Sequence, residues 1–216
     1  MTVRNSPGCG GPSTAERRRP CEPSGPAPCS GGSGPGADSL EALVDSYLQN
    51  EAFDAESEAL FFGDGRLSFA DAVERAACSL MNGKLHPHQC RLGYDRMREC
   101  ASILRARRES LAAAPDFAAL HDALELILRP LGGYGPLAIY DIAERIGWHR
   151  GLSPGHVYLH SGTGDGARVL DPSIRGDRID LSALPPELGR LTPAQAENFL
   201  CIYKAGFERL RSRGRL

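Results

Sequence analysis

The chain reads as an all-α protein of six or seven helices, and three observations carry that expectation. Apolar residues recur at helical spacing in successive segments, those segments are punctuated by Gly- and Pro-rich turns, and no alternating run reaches strand length. No internal repeat or heptad stands beside the helical pattern.

Residues 1–38 are set apart by composition. Stretches such as Ser24-Gly25-Pro26-Ala27-Pro28 and Ser30-Gly31-Gly32-Ser33-Gly34-Pro35-Gly36 offer too little apolar surface to offset the entropy of ordering. This segment is expected to be a disordered tail, and residues 39–216 a single helical domain. Arg17-Arg18-Arg19 has the look of a twin-arginine signal, but no apolar segment follows it, and no apolar run in the chain is long enough to span a bilayer.

The helices follow in order. Leu40, Leu43, Val44, Tyr47 and Leu48 share one face of a first helix over 39–50. Gly63-Asp64-Gly65 marks a turn, after which Ser68 and Asp71 start a helix that buries Phe69, Val73, Ala76, Ala77 and Leu80 and stops at Asn82-Gly83. A third runs from near Pro87 to about Arg108, with Tyr94, Met97, Ala101 and Leu104 inward. Pro115-Asp116 opens a fourth, carrying Phe117, Leu120, Leu124, Ile127 and Leu128. The fifth carries Ala138, Ile139, Ile142, Ala143 and Ile146 and is expected to end at a Gly147 cap. Beyond it, 148–155 and the glycine-rich Gly162-Thr163-Gly164-Asp165-Gly166 read as loops, and Ala167–Leu170 as a short helix. Asp171–Leu188 reads as irregular. The last helix is capped by Thr192 and Gln195, with Pro193 first and Phe199, Leu200 and Tyr203 in the core.

Between the fourth and fifth helices lies Leu131-Gly132-Gly133-Tyr134-Gly135-Pro136, which resembles a helix-hairpin-helix motif. The resemblance implies that Gly133 and Gly135 permit a turn too tight for side chains. Free backbone N–H groups at Gly133, Tyr134 and Gly135 would then face a DNA phosphate, with Arg145, Arg150 and the C-terminal arginines as auxiliary charges. The alternative is an αα-hairpin that packs two helices and binds nothing.

Charge and cysteines bound the function. The net charge of −2 excludes a strongly basic, tight and non-specific DNA-binding body, so any positive surface is local. Lys204, Arg209, Arg211, Arg213 and Arg215 crowd the C-terminus, where Glu208 is the only acid; a solvated helix end and a phosphate-binding tail are the two readings. Seven scattered cysteines without a Cys-x-x-Cys pair point to reduced thiols in a cytoplasmic protein.

Residues 117–171 further resemble the helix-hairpin-helix DNA glycosylases, which flip damaged bases from the duplex and excise them. Arg168-Val169-Leu170 matches the start of the helix after the catalytic aspartate, but the aspartate's place falls on Thr163, with Asp165 two residues away. Pro136-Leu137 stands where bifunctional members carry a lysine nucleophile, which argues against lyase chemistry. Catalysis of this kind would depend on Asp165 and His160. The chain is also similar to a bacterial helix-hairpin-helix family without an assigned activity. The similarity lies in His86-Pro87-His88-Gln89, Tyr140-Asp141, Val157-Tyr158-Leu159-His160, Gly162-Thr163, Gly166-Ala167-Arg168 and Phe199-Leu200-Cys201-Ile202-Tyr203.

Other constellations are weaker. His86, His88 and Cys90 have ligand spacing without a second ligand pair, and Pro87 equally starts a helix, so no metal is assigned. The glycine-rich loop lacks a P-loop lysine, and no cofactor is expected. Trp148 and Tyr134 have ring types that stack on bases or pack in a core. The leading expectation is a cytoplasmic protein that contacts DNA backbone without sequence preference in repair or maintenance. A diverged glycosylase and a protein-interaction module are the alternatives, and no membrane association is expected.

Overall fold

A computed structural model describes residues 38–81, 84–85 and 91–216. The tail expectation for 1–38, Asp38 apart, and the His86-His88-Cys90 cluster lie outside the described residues. The all-α expectation holds: the described residues form ten α-helices, with only two antiparallel ladders of two-residue strands, β1 (Leu80–Met81) with β2 (Lys84–Leu85) and β3 (Val157–Tyr158) with β4 (Arg178–Ile179). Where the sequence suggests one domain over 39–216, the chain gathers into two compact units, one of residues 59–153 and one of residues 38–58 with 154–216.

The first unit holds α3 (Phe69–Cys78), α4 (Tyr94–Ala106), α5 (Arg108–Ala112), α6 (Phe117–Leu128) and α7 (Pro136–Arg150). Ser68 caps α3 by accepting from the Asp71 amide, and Asp116 caps α6 by accepting from the Ala119 amide. Both bonds satisfy donors that a helix start leaves without partners. The buried faces are those the 3.6-residue period predicts: Val73, Ala76 and Ala77 on α3, Met97 and Leu104 on α4, Leu120 and Leu124 on α6, Ile142 and Ile146 on α7.

Several boundaries differ from the sequence reading, each for a physical reason. The helix expected to stop at Asn82-Gly83 ends at Cys78, because Ser79 takes a left-handed conformation at φ 50°. The long third helix is broken at Arg107 into α4 and α5. Gly147 is not a cap; it lies inside α7, buried, where an added Cβ would meet the Leu152 carbonyl oxygen at 2.7 Å, and Gly151 at φ 67° ends the helix. The reduced-thiol expectation fails at Cys78, which is disulfide-bonded.

The chain passes between the units within α2 (Ala52–Phe62), a helix the sequence reading left unassigned. Its terminal Leu60-Phe61-Phe62 gives no continuous apolar stripe, and Leu60 is 79% exposed while Phe62 is buried.

The second unit holds α1 (Leu40–Asn50), α8 (Ser161–Leu170), α9 (Pro193–Ile202) and α10 (Lys204–Ser212), with 3-10 turns at Leu181–Ala183 and Pro186–Arg190 in the stretch expected to be irregular. Its core is built around Tyr47, Phe199, Tyr203 and Phe207, with Tyr47 edge-on to Phe199 at 5.7 Å. The glycine-rich stretch is not a loop but the body of α8. Gly166 lets that helix close on α9, since an added Cβ would fall 2.0 Å from the Leu200 carbonyl oxygen. Helical glycine is unfavourable by about 1 kcal/mol relative to alanine; close packing of two helices offsets it here.

Candidate functional site

The hairpin joins α6 to α7 in the first unit. After α6 the chain makes a 3-10 turn over Arg129–Leu131, and Gly132 and Gly133 then take φ 68° and 80°, a region open to few residues but glycine. Gly135 has ordinary extended backbone, φ −78° and ψ 172°, and serves as the N-cap of α7. The turn thus needs Gly132 and Gly133, where the motif suggests Gly133 and Gly135. Gly132, Gly133, Gly135 and Pro136 are exposed. Gly135 offers no side-chain cap and Pro136 has no N–H, so the Leu137 and Ala138 amides begin α7 without an intrahelical acceptor.

Two residues of α4 hold this turn. The Tyr134 side chain is buried and its hydroxyl donates to the Arg96 carbonyl at 2.8 Å, while the Arg96 guanidinium donates to the Leu131 carbonyl at 2.9 Å. Tyr134 also lies against the buried Cys100 thiol, whose pKa burial pushes up to about 11. Arg96 itself is exposed, and a Cβ added to Gly133 would stand 3.0 Å from its Nη1. A guanidinium therefore lies against the turn. At the hairpin's other end Arg129 meets Glu125, yet its side chain remains 68% exposed.

The auxiliary arginines chosen from sequence are elsewhere. Arg145 is buried, donates to Ser79 Oγ at 2.6 Å and stands over the Phe62 ring at 4.9 Å, so it braces the left-handed end of α3 instead of the surface. Arg150 donates to the Leu111 and Ala114 carbonyls at 3.1 and 2.8 Å, satisfying the end of α5. At the C-terminus, Arg213 and Arg215 pair with Asp38 at 3.4 and 2.7 Å. Trp148 packs beside Phe62, with ring centroids 6.2 Å apart. The missed residue is Arg96, and the sequence signal for it is local: residues 91–108 hold six arginines and only two acids, Asp95 and Glu99.

His160 and Asp165 lie in the second unit and do not converge. His160 is buried at the start of α8, its Nε2 2.5 Å from Glu197 Oε1 of α9. The Thr163 hydroxyl donates to the same carboxylate oxygen at 2.7 Å and lies 3.4 Å from His160 Nδ1. Asp165 points outward, half-exposed, to Arg168 at 3.0 Å and Lys204 at 3.5 Å. The glycosylase-like pairing of His160 with Asp165 is thus not assembled. The position matched to the catalytic acid, Thr163, is instead part of a buried polar cluster with His160 and Glu197.

Among the described residues, His121, Asp122 and Glu125 of α6 bring one ligand atom each within 4.8 Å of one another, but Glu125 is engaged by Arg129. No described helix is long and apolar enough to cross a membrane. Comparison with protein-family models, curated proteins and solved structures finds no match.

Proposed function

We propose that the protein contacts the phosphate backbone of DNA, without sequence preference, through the turn at Gly132–Pro136 and the start of α7, in a repair or maintenance setting. The observation that carries this reading is the exposed left-handed turn with the Arg96 guanidinium against it, at the N-terminus of a fifteen-residue helix that has no side-chain cap. Backbone N–H groups and a helix dipole favour an anion there, and a guanidinium matches phosphate geometry. Arg96 replaces Arg145 and Arg150 as the auxiliary charge, because it is exposed beside Gly133, whereas Arg145 is buried on Ser79 and Arg150 is turned to the Leu111 and Ala114 carbonyls.

Fluorescence anisotropy of the full chain with labelled duplex, nicked and single-stranded DNA tests the reading. Binding should be weak, fall as salt rises with a shallow slope, and be lost in Gly133→Val. Absence of binding at low salt to all three would overturn it and leave a protein-interaction module in front.

A further inference from the structure

Upstream of the hairpin, α6 carries His121, Asp122 and Glu125. On a helix surface residues three and four apart are neighbours, so Glu125 adjoins both Asp122 and His121. The order His-Asp-x-x-Glu therefore gathers an imidazole and two carboxylates on one patch. The structure brings one donor atom from each of the three within 4.8 Å of the others. His121 Nδ1 stands 3.6 Å from Asp122 Oδ1. Two donors held at about 2.1 Å from one ion are about 3.0–3.4 Å apart, so this pair needs almost no movement and Glu125 less than about 2 Å. The trio also spans the boundary between core and solvent, with the His121, Glu125 and Asp122 side chains 10%, 31% and 56% exposed. The imidazole is the inner donor, and the carboxylates stand toward the water from which an ion arrives. A cation already lies on this patch: the Arg129 guanidinium meets Glu125 Oε1 from the next turn, with its side chain 68% exposed. A carboxylate has a second oxygen, and an exposed ion pair contributes little, so the guanidinium competes with an ion without barring it.

We propose that His121, Asp122 and Glu125 bind one divalent transition-metal ion, with Arg129 as its competitor for Glu125. One imidazole with two carboxylates suits a first-row ion such as Mn²⁺ or Zn²⁺ in preference to a soft, thiolate-seeking one. Three protein donors leave the remaining coordination positions to water. The inference rests on α6 alone and stands whether or not the hairpin meets DNA.

Mn²⁺ is the probe, because carboxylates suit it and the thiols of the chain do not. Titration of the full chain, read as loss of the electron paramagnetic resonance signal of aqueous Mn²⁺, should show one equivalent bound. Asp122→Asn and Glu125→Gln remove a carboxylate charge with little change of shape. Each should weaken that equivalent about tenfold or more, since the loss of even an outer-shell partner costs a metal site that much. Arg129→Gln removes the competitor and should tighten binding about threefold. Far-ultraviolet circular dichroism of each variant separates the loss of a ligand from the loss of the helix. No binding by the wild type, or an affinity unchanged in both carboxylate variants, overturns the site, and weaker binding in a folded Arg129→Gln overturns the competition on which it is built.

Discussion

Tyr134 and Arg96 lock each other across the hairpin: the tyrosine hydroxyl donates to the arginine's carbonyl at 2.8 Å, and the arginine's guanidinium bonds the Leu131 carbonyl at 2.9 Å. The side chain at the centre of the Gly-Tyr-Gly turn therefore faces the core, not a base. Tyr134→Phe keeps the ring and removes the donor, so it should cost about 1 kcal/mol, the usual net value of one such bond. Urea denaturation measures it, and an unchanged midpoint would show that the hydroxyl does not seat the turn.

Gly133 and Gly135 should respond differently to the same substitution. Gly133→Ala places a Cβ at φ 80° and 3.0 Å from Arg96 Nη1, which should cost about 1–2 kcal/mol. Gly135→Ala meets open space at an ordinary φ and loses only a favourable N-cap residue, at under about 1 kcal/mol. Equal losses in thermal melts of the two variants would mean that positive φ does not govern this turn.

These two glycines also mark where sequence reading reaches its limit. The helix faces were legible, because burial repeats with the helical period: Leu120, Leu124 and Ile142 are all where that period puts them. Gly133 was legible as a turn glycine, yet Gly132 and Gly135 were interchanged in importance, since a pattern of glycines does not say which has positive φ. The glycines of α8 read as a loop because their cause is a neighbour distant in sequence: Gly166 is small to admit the Leu200 carbonyl. Arg145 looked like surface charge for the same reason, its partner Ser79 lying 66 residues away. The excess of arginine around Arg96 was visible in composition, but only its bond to the Leu131 carbonyl shows that Arg96 lies at the turn.

Cys100 should be inert to thiol reagents in the folded protein. Burial and the nearby Glu99 charge raise its pKa to about 11 despite the opposing hydrogen bond with Tyr134, whereas an unfolded cysteine titrates near about 8.5. The folded state therefore holds the proton more tightly. Its stabilising contribution is complete below about 8.5 and lost as pH rises through about 11. Peptide mapping after alkylation at pH 8 should find Cys100 unlabelled until denaturant is added; rapid labelling of the native protein would refute its burial beneath Tyr134.

Glu197 and Asp165, both acids of the second unit, should differ most in what their removal does. Glu197 is buried, and its Oε1 accepts from the Thr163 hydroxyl and stands beside His160 Nε2, so Glu197→Ala removes the carboxylate that these two side chains share inside the unit. Removing a buried hydrogen-bond acceptor costs about 1–3 kcal/mol. Asp165 meets Arg168 and Lys204 at the surface, where pairs contribute little, and Asp165→Asn should change stability by no more than about 0.5 kcal/mol. The comparison also bears on chemistry, because a pair acting together on a substrate must share a space, and these structural roles separate His160 from Asp165. Base release from damaged duplexes that is present in the wild type and abolished by Asp165→Asn, with stability unchanged, would show that the exposed carboxylate does work its ion pairs do not explain. Denaturation curves in which Glu197→Ala is as stable as Asp165→Asn would remove the buried cluster from the account of how α8 and α9 are held together.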